Sequence, residues 1–144
     1  GGREPQPGPL VDGEGREMGR HRGAPLYTVG QRRGLGIAAG RPLYVTSIDA
    51  ETNTITVGDD SDLMKEGLEA EGVSWIVPPT GREVEAEVKI RYRHEGAEAV
   101  IRILTGDRVE VRFSRPQRAV TPGQAAVFYS GEMVLGGGWI SRSL

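Results

Sequence analysis

The sequence predicts a mainly β protein whose second half folds as a small closed barrel. Three observations point there: strict period-2 alternation, turn residues recurring at roughly the 8–12-residue spacing of sandwiches and barrels, and no helical periodicity. The alternation is clearest where Val84, Ala86, Val88, Ile90 and Tyr92 interleave with Glu83, Glu85, Glu87, Lys89, Arg91 and Arg93. Such a strand has one buried face and one wet face.

Taken in order, residues 1–9 carry Pro5, Pro7 and Pro9 among glycines and predict a linker or extended entry segment. Gly1 follows no methionine, which predicts a boundary rather than a natural start. Strands are expected at Leu26–Val29, Pro42–Ile48 and Thr54–Val57, the last two joined as a hairpin by a turn at Asp49–Asn53. Asp59–Lys65 predicts one helical turn with Asp60 or Ser61 as its cap. A strand at Leu68–Val77 opens the barrel, followed by the alternating run from Glu83. Beyond the Glu95-Gly96 turn, Ala97, Ala99, Ile101 and Ile103 share a face, and after Thr105-Gly106-Asp107 so do Val109, Val111 and Phe113. Gln124–Tyr129, Ser130-Gly131 and Glu132–Leu135 form the last hairpin, before Gly136-Gly137-Gly138 and Trp139. About six strands result, and closure into a barrel removes the edges an open sheet would have to protect. The expected organisation is an entry segment (1–9), a β-rich central domain (10–67) and a C-terminal barrel (68–144).

The 144 residues suit one domain or two small ones. With 18 Lys plus Arg against 20 Asp plus Glu, the chain as a whole is no electrostatic nucleic-acid binder. The distribution is uneven: residues 1–71 carry a net charge of −4 and residues 72–144 a net of +2. Sixteen of the cations are arginine, a skew that suits bidentate contacts to phosphate or carboxylate. Cysteine is absent, which excludes disulfides, thiolate metal sites and a cysteine nucleophile within the chain. His21 and His94 are the only imidazoles, too few for a zinc site of its own. No apolar run approaches the ~20 residues of a membrane-spanning helix, so no membrane partner and a cytoplasmic setting are expected.

Among residues that could carry chemistry, Glu83, Glu85 and Glu87 fall on the wet face of their strand and read as a solvated row. Asp59, Asp60 and Asp62 lack the spacing of a calcium loop and suit capping. His21, between Arg20 and Arg22, reads as a loop histidine rather than a general acid. Gly136-Gly137-Gly138 precedes no helix and so predicts a tight turn or bulge near Trp139. The stretch Tyr27 to Ile37 sets Gln31, Arg32 and Arg33 between Gly30 and Gly34, a combination open to two readings: a contact loop or a solvated turn. Arg91 and Arg93 flank Tyr92, and Arg115-Pro116-Gln117-Arg118 follows Phe113. Basic groups beside an aromatic on a small barrel offer phosphate contacts and a stacking face. Alternation alone, however, puts Tyr92 on the buried face with the arginines paired to glutamates.

Several of these segments together resemble one family. Gly19-Arg20-His21-Arg22-Gly23, Tyr27–Ile37, Pro42-Leu43-Tyr44-Val45, Lys89-Ile90-Arg91-Tyr92-Arg93, and Pro116 through Gly123-Gln124-Ala125 to Gly136-Gly137-Gly138 are similar to the tRNA-specific 2-thiouridylases. The likeness runs from about Pro7 to the end. It implies a central domain followed by a six-stranded antiparallel barrel like domain 2 of translation elongation factors. It further implies membership of an ATP-dependent sulfurtransferase that makes 2-thiouridine at the anticodon wobble position. The Ser-Gly-Gly-x-Asp-Ser nucleotide loop and both catalytic cysteines of that family are absent from this chain. No catalytic residue, cofactor or metal is therefore expected within it; ATP with magnesium and a persulfide sulfur donor would act in an N-terminal PP-loop domain. The resemblance assigns tRNA contacts to Arg91, Tyr92 and Gln124, and leaves Gln31, Arg32 and Arg33 as candidates for tRNA or interdomain contact. The implied partners are a tRNA anticodon stem-loop, the PP-loop domain and a sulfur-relay protein. The rival expectations are a protein-docking module without RNA contact, and a stand-alone paralogue.

Overall fold

The computed structural model describes residues 4–37, 40–92 and 95–144. Contacts divide the chain after Leu63 into two compact units.

In the first unit, β1 (Gly8–Val11), β2 (Glu17–His21), β3 (Tyr44–Asp49) and β4 (Thr54–Gly58) form one sheet in the order β2-β1-β4-β3. The β3–β4 hairpin is the expected one. The Asp49 carboxylate accepts from the N–H groups of Glu51 and Thr52 at 3.0 and 3.3 Å, and Asn53 takes a left-handed conformation to close the turn. Leu10, Val45, Ile55, Val57 and Leu63 are buried in this unit.

Three expectations need correction here. The entry segment is not all linker: Gly8 and Pro9 begin β1, which pairs antiparallel with β2 and parallel with β4. A Cβ on Gly8 would collide with the Asn53 carbonyl and come within 2.7 Å of the His21 ring, so glycine is required by close approach rather than by looseness. Second, Leu26–Val29 is not a strand. Pro25 starts a 3-10 turn at Ala24–Leu26, and the chain beyond is tied to β3 through single bonds instead of a ladder. Third, the turn expected at Asp59–Lys65 is a shorter 3-10 turn, Asp60–Leu63, where Asp62 Oδ2 accepts from the Asp59 N–H at 2.9 Å.

The second unit is the closed barrel. Its strands are β5 (Met64–Trp75), β6 (Glu83–Lys89), β7 (Ala97–Ile103), β8 (Val109–Arg118), β9 (Ala125–Ser130) and β10 (Met133–Ser143), ordered β10-β5-β8-β7-β6-β9. Neighbours are antiparallel throughout. The inward faces of the alternating strands supply the core, with Leu68, Val88, Ile101, Val109, Val111 and Phe128 almost wholly enclosed.

Strand ends are where sequence and structure part. The strand expected from Leu68 begins at Met64, so the 67/68 position lies inside β5, where Met64 and Lys65 pair with Arg118 and Gln117. Pro116 belongs to β8 because pairing with β7 has ended at Phe113, and a missing N–H costs no ladder bond on that side. Glu69, only 8% exposed, accepts from Arg142 Nη2 at 2.8 Å and Arg108 Nη2 at 3.0 Å. The Arg142 hydrogen bond, with Arg108 assisting, holds the Glu69 carboxyl down at about 2. This clamp fastens β5 to β10 and to the entrance of β8.

Candidate nucleic-acid interface

At the end of β6 the alternation stops. The strand closes at Lys89, and the backbone bends through Arg91 and Tyr92. Tyr92 is consequently 97% exposed, which overturns the buried placement that simple alternation gives it. Arg91 reaches over to the far end of β8, where its Nη1 donates to the Arg118 carbonyl at 2.8 Å. That carbonyl leads into Ala119, which holds a left-handed φ of 58° without being glycine. One β6 residue earlier on the wet face, Lys89 Nζ stands 4.8 Å from the centroid of the Tyr129 ring, a cation–π contact.

Gln124 comes from the turn before β9. Its N–H donates to the Thr121 carbonyl at 3.2 Å, and the turn is strapped to β10 by Gly123 N–H to Ile140 O and Ile140 N–H to Gln124 O, both 2.8 Å. The backbone of Gln124 is thus fully engaged, while its side-chain amide makes no hydrogen bond among the described residues. Lys89, Arg91, Tyr92, Gln124, Ala125 and Tyr129 line one cleft of about 420 Å³. The three residues singled out on the barrel are therefore brought together. Lys89 and Tyr129 were missed; the clue was that both lie on outward faces of strands that pair as neighbours. Arg93 and His94 lie outside the described residues.

The arrangement combines a freely presented aromatic ring, a guanidinium already oriented by a carbonyl, an ammonium and a free amide. That is the equipment for stacking on a base or ribose while donating charge-assisted hydrogen bonds to phosphate.

The loop of the first unit is built differently. Gln31 Oε1 accepts from the Thr28 N–H at 3.0 Å, and its Nε2 donates to the Arg33 carbonyl at 2.8 Å. Gly30 N–H and Val45 N–H exchange bonds with Val45 O and Gln31 O, both 2.8 Å, so the loop is wired to β3. Gln31 is a brace, with both ends of its amide occupied. Arg32 and Arg33 are exposed, and their side chains make no ion pair among the described residues. Arg32 lines a shallow concavity of about 660 Å³ with Leu35, Ile37, Arg41 and Leu43; Arg41 itself is paired to Asp59 at 3.0 Å.

His21 is 1% exposed. Its Nδ1 accepts from the Gly23 N–H at 3.0 Å, so Nε2 carries the proton and donates to the Asn53 carbonyl at 2.7 Å. Both ring nitrogens serve the fold. Among the described residues no group of three or more His, Cys, Asp or Glu could hold a metal ion. Glu83, Glu85 and Glu87 are exposed, as a solvated row requires. No step involving ATP, magnesium or a persulfide is assigned to these residues. No helix among them is long and apolar enough to cross a membrane.

Comparison with known proteins adds the family. A model described as an aminomethyltransferase beta-barrel domain matches residues 65–140, and one described as a tRNA methyl transferase PRC-barrel domain matches residues 2–59. The tRNA-specific 2-thiouridylase MnmA of Geobacter metallireducens is 48% identical over 137 residues, covering 95% of this chain and 37% of that protein. Those of Roseiflexus sp. and Solibacter usitatus are 52% and 51% identical, over 95% and 92% of this chain and 37% of each protein. The chain thus spans a little over a third of the length of these curated relatives and corresponds to their C-terminal portion.

Proposed function

We propose, from the premise that this chain belongs to the tRNA-specific 2-thiouridylase family, that it holds the tRNA substrate while the chemistry is carried by a separate catalytic domain. The barrel cleft of Arg91, Tyr92 and Gln124 grips the anticodon stem-loop. A PP-loop domain, using ATP and a persulfide, adds sulfur to the wobble uridine in the cytoplasm. Phosphate contacts set the register of the RNA, and the missing domain takes the target base into its pocket. The observation that carries this reading is the convergence of an almost fully exposed Tyr92, Arg91 and the unengaged Gln124 amide on one cleft. A buried or self-satisfied set would have spoken for a structural role.

Arg32 and Arg33 add a second basic surface, which we assign to contact with tRNA or with the catalytic domain. The test is a fluorescence-anisotropy titration of the chain with a labelled anticodon stem-loop at low salt. Binding that weakens as salt rises is expected, because neutralised phosphates release counterions. Unchanged affinity in an Arg91→Ala/Gln124→Ala double variant would sink the site assignment. Absence of RNA binding, together with co-elution of the chain with the isolated PP-loop domain, would favour the protein-docking reading instead.

A further inference from the structure

Trp139 is 57% exposed although it follows three consecutive glycines in the middle of a barrel strand. The glycines explain how it is held. A Cβ on Gly136 would collide with the Ser74 carbonyl, and one on Gly138 would come within 2.8 Å of Glu71 O and 2.7 Å of Val73 Cγ2. Only bare backbone lets β10 lie this close to β5. On the β5 side the register slips between Gly137 and Trp139, a bulge, whereas on the β9 side pairing runs unbroken through Gly137, Gly138 and Trp139. Bulges re-aim a side chain. Here the indole is laid over Gly72, where an added Cβ would sit 3.2 Å from Trp139 Cδ1. Gly72 has a φ of 61°, a second reason for it to lack a side chain.

Its position is tied to the cleft. Trp139 pairs directly with Ala125, which lines the cleft, and the next residue, Ile140, makes both backbone bonds to the Gly123-Gln124 turn. Ile140 and Ala126 point into the core, so Trp139 and Ala125 share the outer face with Lys89 and Tyr129. Ala125, the residue directly opposite Trp139, is small and lines the cleft.

We propose that Trp139 is a second stacking residue for the same RNA, taking an unpaired base or its ribose beyond the cleft. The inference rests on the tRNA-holding reading and extends its footprint from β6 across β9 to β10. A large flat exposed ring on the outer face that also carries Lys89 is suited to a splayed nucleotide, since every base has a face on which to stack.

The chain has two tryptophans, and the other, Trp75, packs on Phe128 at a centroid distance of 5.4 Å. In a Trp75→Phe background Trp139 is the only tryptophan, and its emission under tryptophan-selective excitation can be followed while anisotropy of a labelled anticodon stem-loop reports binding independently. Emission should be quenched, and shielded from iodide, as the RNA binds. Trp139→Ala should weaken binding by roughly five- to a hundredfold, the range of one lost stack, with Trp139→Phe retaining most of the affinity. The salt dependence should stay unchanged in both, in contrast to Arg91→Ala. RNA binding without any response from Trp139, and with Trp139→Ala within twofold of the parent, would overturn this inference and leave the tRNA-holding reading standing. Absence of RNA binding to the parent chain would overturn both. Should Trp75→Phe perturb folding, the Trp139→Ala and Trp139→Phe affinities decide on their own.

Discussion

Two glutamines show how differently the two units use polar side chains. Gln31 turns its amide inward and spends both ends on its own loop, bonding the Thr28 N–H and the Arg33 carbonyl. Gln124 does the reverse: its backbone is strapped to β10 and its amide is left over. The same contrast runs through both units. In the first, His21 and Asn53 bond backbone groups far away in sequence and close the sheet around a glycine-rich entry. In the barrel every strand is paired on both sides, and Tyr92, Lys89 and Gln124 face outward. For these two glutamines the contrast is one of use: Gln31 holds its own loop, and Gln124 leaves its amide outward.

The largest effect should come from attacking the inward-facing set. Gly8→Val forces a side chain into the space between His21 and Asn53 and should cost about 3 kcal/mol. Hydrogen exchange should then show the first unit opening while barrel amides stay protected; a barrel that loosens equally would break the distinction between the units. Next comes the outward set. Arg91→Ala should lower stem-loop affinity by about tenfold and flatten the salt slope by about one phosphate contact, at a stability cost of about 1 kcal/mol for the bond it gives the Arg118 carbonyl. The two glutamines give the direct contrast. Gln31→Ala should cost about 1 kcal/mol in chemical denaturation, the net worth of a typical lost hydrogen bond, and Gln124→Ala should leave stability alone while reducing RNA affinity. Exchange of those two outcomes would reverse the assignment.

The last test, on the pH axis, concerns Glu69. Its carboxyl is held well below the usual range, to about 2, by Arg142 and then Arg108. A depressed carboxylate contributes stability that is complete above its unfolded-state value near 4.5 and is lost as pH falls toward 2. Denaturation midpoints should therefore decline over that window, and Glu69→Gln should flatten the decline. A variant with the parent's acid profile would remove the clamp from the account.

Much of the barrel was legible because its alternation is strong: Val84 to Ile90, Ala97 to Ile103 and Val109 to Phe113 identify their strands and faces directly. What alternation cannot see is where a strand stops. It carried Tyr92 inward past the end of β6, and it ended β8 before Pro116. The first unit was harder to read, because Gly8 and Pro9 look like linker until the three-dimensional crowding by His21 and Asn53 is known. Arg91, Tyr92 and Gln124 were named from motif resemblance; that Lys89 and Tyr129 line the same cleft, and that Trp139 shares their outer face, shows only once register is known.

The pairing of β5 with β10 has a consequence for how the molecule is made. The barrel's first strand waits for its last: Glu66 and Gly67 bond to Leu144, and Glu69 finds Arg142 only after the whole of β10 exists. As the chain leaves the ribosome, the sheet of the first unit can be complete while β5 still has no neighbour on one side. Long-range closure of this kind is slow compared with local hairpins. The Gln124 strap and the seat of Trp139 both depend on β10, so this face of the barrel is completed only when that strand is in place.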